Sequence, residues 1–254
     1  MIHSSRQARN LFLTLISFDL LFVVVYGTDA WVQGATKQPH SLIDLDAEGN
    51  LPAWFSSFQL ALIAIGFWML AVRFRATGRP SRGFLRVCGG FFLLLSIDES
   101  ALLHERITES LGKRYVDWVP GYLGSHPGKA IVCGLVLVAC LKAAYPQVIG
   151  LWRLSTRASL LAAAGCAIYL IGAAGFESIG YKMLSSVTTP RLYQVEVAVE
   201  ELFEMLGGSL ILYAVLLFGI RGVSRGRPSG SWHRHIRLAA PGTTSARDLG
   251  LDVK

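Results

Sequence analysis

Six long apolar runs follow one another along the chain, at 11–26, 54–74, 84–104, 130–149, 158–180 and 195–220. A helix needs roughly 20 apolar residues to cross the ~30 Å hydrocarbon layer, and lipid offers no partner to an unpaired backbone group. The pattern predicts an all-α integral membrane bundle of about six transmembrane helices, forming one domain over residues 1–220. Residues 30–53 read as the longest outer loop, with Asp44, Asp46, Glu48 and the helix breaker Pro52. A turn with Gly78, Pro80 and Gly83 joins the second and third runs. Residues 107–129 read as an amphipathic outer loop whose Tyr115, Trp118 and Tyr122 suit the headgroup level. Past Ile220 the chain turns Arg-, Gly- and Ser-rich, with Pro228 and Pro241. Such composition buries no core, so 221–254 is expected to be a basic, disordered cytoplasmic tail at the surface of anionic lipid. His233 and His235 fall in it as solvated residues. Arg6, Arg9 and the short first apolar run have the outline of a signal peptide, but Asp19 within that run argues for a retained helix.

Composition agrees with lipid as the main solvent. Hydrophobic residues make up 52% of the 254 and charged ones 16%, against about 25% charged in soluble domains. The net charge of +7 is no nucleic-acid signature, because it is distributed by side of the membrane. Arg6 and Arg9, the connection from Arg73 to Arg86, the connection from Lys142 to Arg157 and the tail hold 17 of the 24 basic residues. Lysine and arginine accumulate in cytoplasmic loops. Both termini are therefore expected in the cytoplasm, with the chain in the inner (plasma) membrane. Cys88, Cys133, Cys140 and Cys166 form no Cys-x-x-Cys pair and read as small residues facing lipid or helices. Ala158, Ala162 and Cys166, followed by Gly172, Ala174, Gly175 and Ser178, would let neighbouring backbones approach closely. The fifth helix is therefore expected at the centre of the bundle.

Acids gather at one depth. The third run ends with Asp98, Glu99, His104 and Glu105, the fifth with Glu177, and the sixth begins with Glu196, Glu200, Glu201 and Glu204. At 1.5 Å per residue, Asp98, Glu177 and Glu204 lie roughly 21, 28 and 24 Å from the inner ends of their helices. All three thus fall in the outer third of the bilayer. Glu196, Glu200 and Glu204 share one helix face. An ionised acid near a helix centre costs about 2.5–3.5 kcal/mol on insertion scales, so the group must be protonated, paired, hydrated or bound to a cation. Arg106 and Lys182 are the basic residues close to it in sequence. Asp19 stands apart in the first helix, either as a partner of the cluster's fringe or as a neutral hydrogen-bonding group.

The order of these motifs resembles a group of uncharacterised bacterial multi-pass membrane proteins. They carry D-E-x4-H-E closing one helix, W-V-x-P in an outer loop, G-x-E at a later helix end and E-E-x2-E-M-L-G opening the last. The matching residues are Asp98, Glu99, His104 and Glu105; Trp118, Val119 and Pro120; Gly175 and Glu177; and Glu200, Glu201, Glu204, Met205, Leu206 and Gly207. Trp118-Val119-Pro120 lacks the intervening residue of the loop motif. The resemblance spans 54–220 and implies the multi-pass fold without an activity.

Three functions fit these residues. The first is an outward-facing metal site, with Asp98, Glu99, His104, Glu105, Glu177, Glu200, Glu201 and Glu204 as candidate ligands. Carboxylates with one histidine suit iron, manganese or calcium better than zinc, and the site could serve a membrane metalloenzyme. The paired Glu-x-x-His motif of di-iron bundles is absent, which favours a single hard cation. The second is a non-catalytic accessory subunit beside partner membrane subunits or in a homo-oligomer, with the acids as a structural network. The third is a cation or proton translocator, although the inner halves of the helices are almost purely apolar. No catalytic triad, phosphate loop or haem motif is present.

Overall fold

The computed structural model describes residues 4–34, 40–47, 49–74, 78, 80–101, 127–176 and 190–226, with the backbone alone at 127–139, 141, 174 and 222–226. Among them the chain is all-helical: α1 (Ser5–Gln33), α2 (Leu51–Arg73), α3 (Arg82–Ala101), α4 (Pro127–Leu154), α5 (Thr156–Leu170) and α6 (Pro190–Gly226). A π-helical stretch, Ile171–Phe176, continues α5. Local chemistry sets the ends. Ser4 and Gln7 close a reciprocal capping box that starts α1 well before the apolar run. Asn50 caps α2 through the N–H of Ala53, and Pro52 sits in its first turn, where its missing N–H costs nothing. Ser155 alone separates α4 from α5 and caps the latter through the N–H of Ala158.

Among the described residues, four helices are long and apolar enough to cross a membrane: Ser5–Gln33, Leu51–Arg73, Thr156–Ala173 and Pro190–Arg221. The third run is not among them. Arg82, Arg86, Asp98 and Glu99 sit near the two ends of α3 and shorten its apolar stretch. In α4, the side chains before Cys140 lie outside what is described, as does the tail from 227 onward.

Among the described residues the packing differs from one expectation: α6, not α5, is the hub, touching α1, α2, α4 and α5. Three consecutive small residues explain this. At about 100° per residue, Gly207, Gly208 and Ser209 turn towards three different neighbours. A Cβ on Gly207 would lie 2.7 Å from the Tyr169 backbone nitrogen, and one on Gly208 would lie 3.3 Å from Gln59 Oε1. The Ser209 hydroxyl reaches Asp19. Without a hydrophobic drive between helices in lipid, close approach and interhelical hydrogen bonds hold a bundle together. The α2–α3 seam uses both devices. Ser57 Oγ donates to the Ser96 carbonyl at 2.7 Å and Ser96 Oγ donates to the Ser57 carbonyl at 2.8 Å, while Gly89 admits the Trp68 ring. Leu60, Ile63, Met205, Ala214 and Phe218 form the buried apolar centre. Phe12 stacks on Tyr213, and Phe18 and Phe22 lean on Phe55, which ties α1 to its neighbours.

Candidate functional site

The acidic face of α6 packs where α5 changes its winding. A Cβ on Gly172, in the π-helical stretch, would lie 2.9 Å from Glu204 Cγ and 3.0 Å from the Glu200 carbonyl oxygen. Only glycine permits that contact, so the π-helical stretch lies directly against Glu200 and Glu204. Such stretches inside α-helices occur frequently at functional sites. One turn before it, the hydroxyl of the half-buried Tyr169 donates to the Glu204 carboxylate and lies within electrostatic reach of Glu201 and of Glu99 on α3. One tyrosine of α5 thus lies within electrostatic reach of acids from both α3 and α6.

Of the predicted site residues, Asp98, Glu99, Glu200, Glu201 and Glu204 are described, each half-buried. His104, Glu105 and Glu177 lie outside the described residues. Glu99, Glu201 and Glu204 share the surroundings of Tyr169. Glu200 and Glu196 share those of Tyr193. Among the described residues, no three His, Cys, Asp or Glu side chains form a group that could hold a metal ion.

A second layer of acids extends from this cluster to the outer loop. Tyr193 donates from its hydroxyl to Asp46 Oδ1 at 2.7 Å, and the backbone N–H of Asp46 donates to Asp44 Oδ1 at 3.2 Å. Tyr26, 2% exposed, lies within reach of Asp44, Asp46, Tyr193 and Glu201. Asn50 holds this loop by donating to the carbonyls of Asp44 and Ala47. Tyr26 of α1, Tyr169 of α5 and Tyr193 of α6 therefore stand among acids from α3, α6 and the outer loop. Sequence reasoning passed over all three. Their signal was phase: Tyr193, Glu196 and Glu200 recur at helical spacing on one face of α6, and Tyr169 stands between Gly165 and Gly172.

Burial pushes the Asp44 carboxyl above the usual carboxylate range, aided by the charges of Asp46 and Asp29 and opposed by the Asp46 N–H. A carboxyl raised on folding favours the folded loop below its unfolded pKa, and that advantage is lost as pH rises through the folded value. Amide exchange over 40–50 is therefore expected to slow as pH falls from neutral into the acid range, once corrected for intrinsic rates. Asp44→Asn should abolish this dependence and leave the loop protected at neutral pH. An unchanged dependence in that variant would place its origin elsewhere.

The family model described as "Domain of unknown function (DUF8692)" matches residues 11–219. No curated protein and no solved structure matches the chain.

Proposed function

We propose that this chain, which belongs to the family described as Domain of unknown function (DUF8692), is a six-span protein of the inner (plasma) membrane, with cytoplasmic termini and an outward-facing carboxylate–tyrosine site that binds a hard cation. The observation carrying this reading is the convergence of Glu99, Glu201 and Glu204 on Tyr169. Like charges gathered in a low-dielectric setting raise one another's energy, and a tyrosine hydroxyl supplies a hydrogen bond but no positive charge. A hard cation is the ligand that carboxylate and phenol oxygens suit. Oxygen donors suit calcium or manganese, and one added histidine suits iron. The described acids do not complete such a site, so His104, Glu105 and Glu177, which the sequence assigns to the same depth, are required.

Elemental analysis of the purified full chain beside a Glu204→Gln, Glu105→Gln double variant tests this reading. Stoichiometric iron, manganese or calcium in the wild type, lost in the variant, is the expected result. A second reading, an accessory subunit whose acids form a structural network, is favoured by the lack of a three-ligand group among the described residues. It predicts negligible metal in both proteins, an outcome that would remove the first.

A further inference from the structure

Below the acidic cluster, a separate polar group occupies the middle of the bundle. Asp19 on α1, Gln59 on α2 and Ser209 on α6 are 0%, 1% and 0% exposed. Gln59 Nε2 donates to Asp19 Oδ1 at 2.8 Å, Ser209 Oγ donates to Asp19 Oδ2 at 2.8 Å, and Gln59 Nε2 also donates to Ser209 Oγ at 3.0 Å. Asp19 lies about 12 Å along α1 from the inner start of its apolar run at residue 11, and Ser209 about 7.5 Å inward of Glu204 along α6. The triad therefore lies near mid-bilayer, deeper than the acids of the proposed site.

Charge bookkeeping at this depth is simple. On α2 the sole charged residue is Arg73, about 21 Å along the helix from Gln59. On α6 the nearest titratable side chains are Glu204 and Glu201 above Ser209, and Tyr213 one turn below it, stacked on Phe12. On α1 they are Tyr26 and Asp29 outward and Arg9 inward, the last about 15 Å away. Among the described residues Asp19 thus meets two neutral donors and no cation. An ionised acid at mid-bilayer is expensive, and hydrogen bonds from two neutral groups offset only part of that cost.

The same three side chains also suit a neutral acid. A glutamine amide presents a donor at one end and an acceptor at the other. With the NH2 group towards Asp19, it serves the carboxylate. Turned over, Oε1 accepts the proton of a carboxylic acid, while Ser209 Oγ still donates to the other carboxyl oxygen. In both protonation states each carboxyl oxygen of Asp19 thereby keeps a hydrogen bond within one arrangement of the three helices, which a salt bridge or an apolar contact would not allow. We propose that Asp19, held between Gln59 and Ser209, is a reversible proton-binding site in the middle of the bundle. It stands apart from the proposed cation site, and its success or failure leaves that reading unchanged.

Infrared difference spectra of the full chain in lipid nanodiscs, recorded between mildly acid and alkaline pH, test this proposal. Expected is the carbonyl stretch of a buried carboxylic acid that appears and disappears reversibly with pH and is lost in Asp19→Asn. Should that variant fold poorly, two measurements assign the band without removing the acid. Labelling aspartate at the carboxyl carbon with ¹³C lowers its frequency, and Ser209→Ala, by deleting the donor to Oδ2, raises it. A band that stays at every pH would make Asp19 a permanently neutral structural residue. No band at any pH would make it permanently ionised. Either result overturns the proposal.

Discussion

Gly207→Leu is expected to melt far below the wild type, because it forces α5 and α6 apart along their closest line of approach. A Cβ at this position would lie 2.7 Å from both the backbone nitrogen and the Cβ of Tyr169, and 2.8 Å from the Gly165 carbonyl oxygen. The reverse contact is equally tight, with a Cβ on Gly165 falling 2.9 Å from the Gly207 carbonyl. Two of these obstacles are backbone atoms, which cannot swing aside as the end of a side chain can. Overpacking an ordinary core costs about 1–3 kcal/mol; here two helices must separate, so a loss of at least ~3 kcal/mol is expected on the same scale. Tyr169 would move with α5 and lose Glu204. Gly27→Leu is the control, since a Cβ there meets nothing within 4 Å, and it should melt close to the wild type. Thermal unfolding of the three proteins in one detergent decides the matter. Equal melting of Gly207→Leu and wild type would show that the α5–α6 seam is not as tight as described.

Gln59→Leu should be the next most damaging change. It removes the donor to Asp19 Oδ1 and the second contact to Ser209 Oγ, leaving polar groups buried without full satisfaction. Each such group costs about 1–3 kcal/mol. Replacing the acid as well should recover most of the loss, because apolar substitution of both partners is often nearly neutral. In the Gln59→Leu, Asp19→Leu double variant, Ser209 is left to bond the carbonyl one turn earlier in α6, as helical serines do. Comparing the single and double variants by thermal unfolding separates the polar triad from simple packing. A double variant less stable than Gln59→Leu alone would mean that Asp19 stabilises the bundle by some other contact.

Much of this arrangement is written in the sequence at the level of elements. The long apolar runs led to helices in every case, because backbone satisfaction in lipid leaves few alternatives. Their ends were harder to read. Ser4 and Gln7 carry α1 outside its apolar run, and α6 begins at Pro190 rather than 195, since capping and proline at the first turn act where hydropathy is silent. The choice of hub also escaped the pattern. Small residues on α5 are numerous, yet closeness is decided by what stands opposite, and Gly207, Gly208 and Ser209 serve three neighbours where α5 serves mainly one. Within the site, the acids of α3 and α6 were legible because charge in an apolar run is conspicuous. Tyr26, Tyr169 and Tyr193 were not, because a tyrosine in a membrane helix looks apolar until its hydroxyl is given a partner. Asp19 was conspicuous as well, but Gln59 and Ser209 lie 40 and 190 residues away, beyond the reach of any helical phase.

The account rests on carboxylates from α3 and α6 sharing one environment beside α5. A double-mutant cycle of Glu99→Gln and Glu204→Gln, read as the unfolding free energy of the full chain at neutral pH, tests this directly. Groups in one network couple by about 0.5–3 kcal/mol, and the second neutralisation should relieve less repulsion than the first. Effects that simply add, within about 0.3–0.5 kcal/mol, would contradict the shared site.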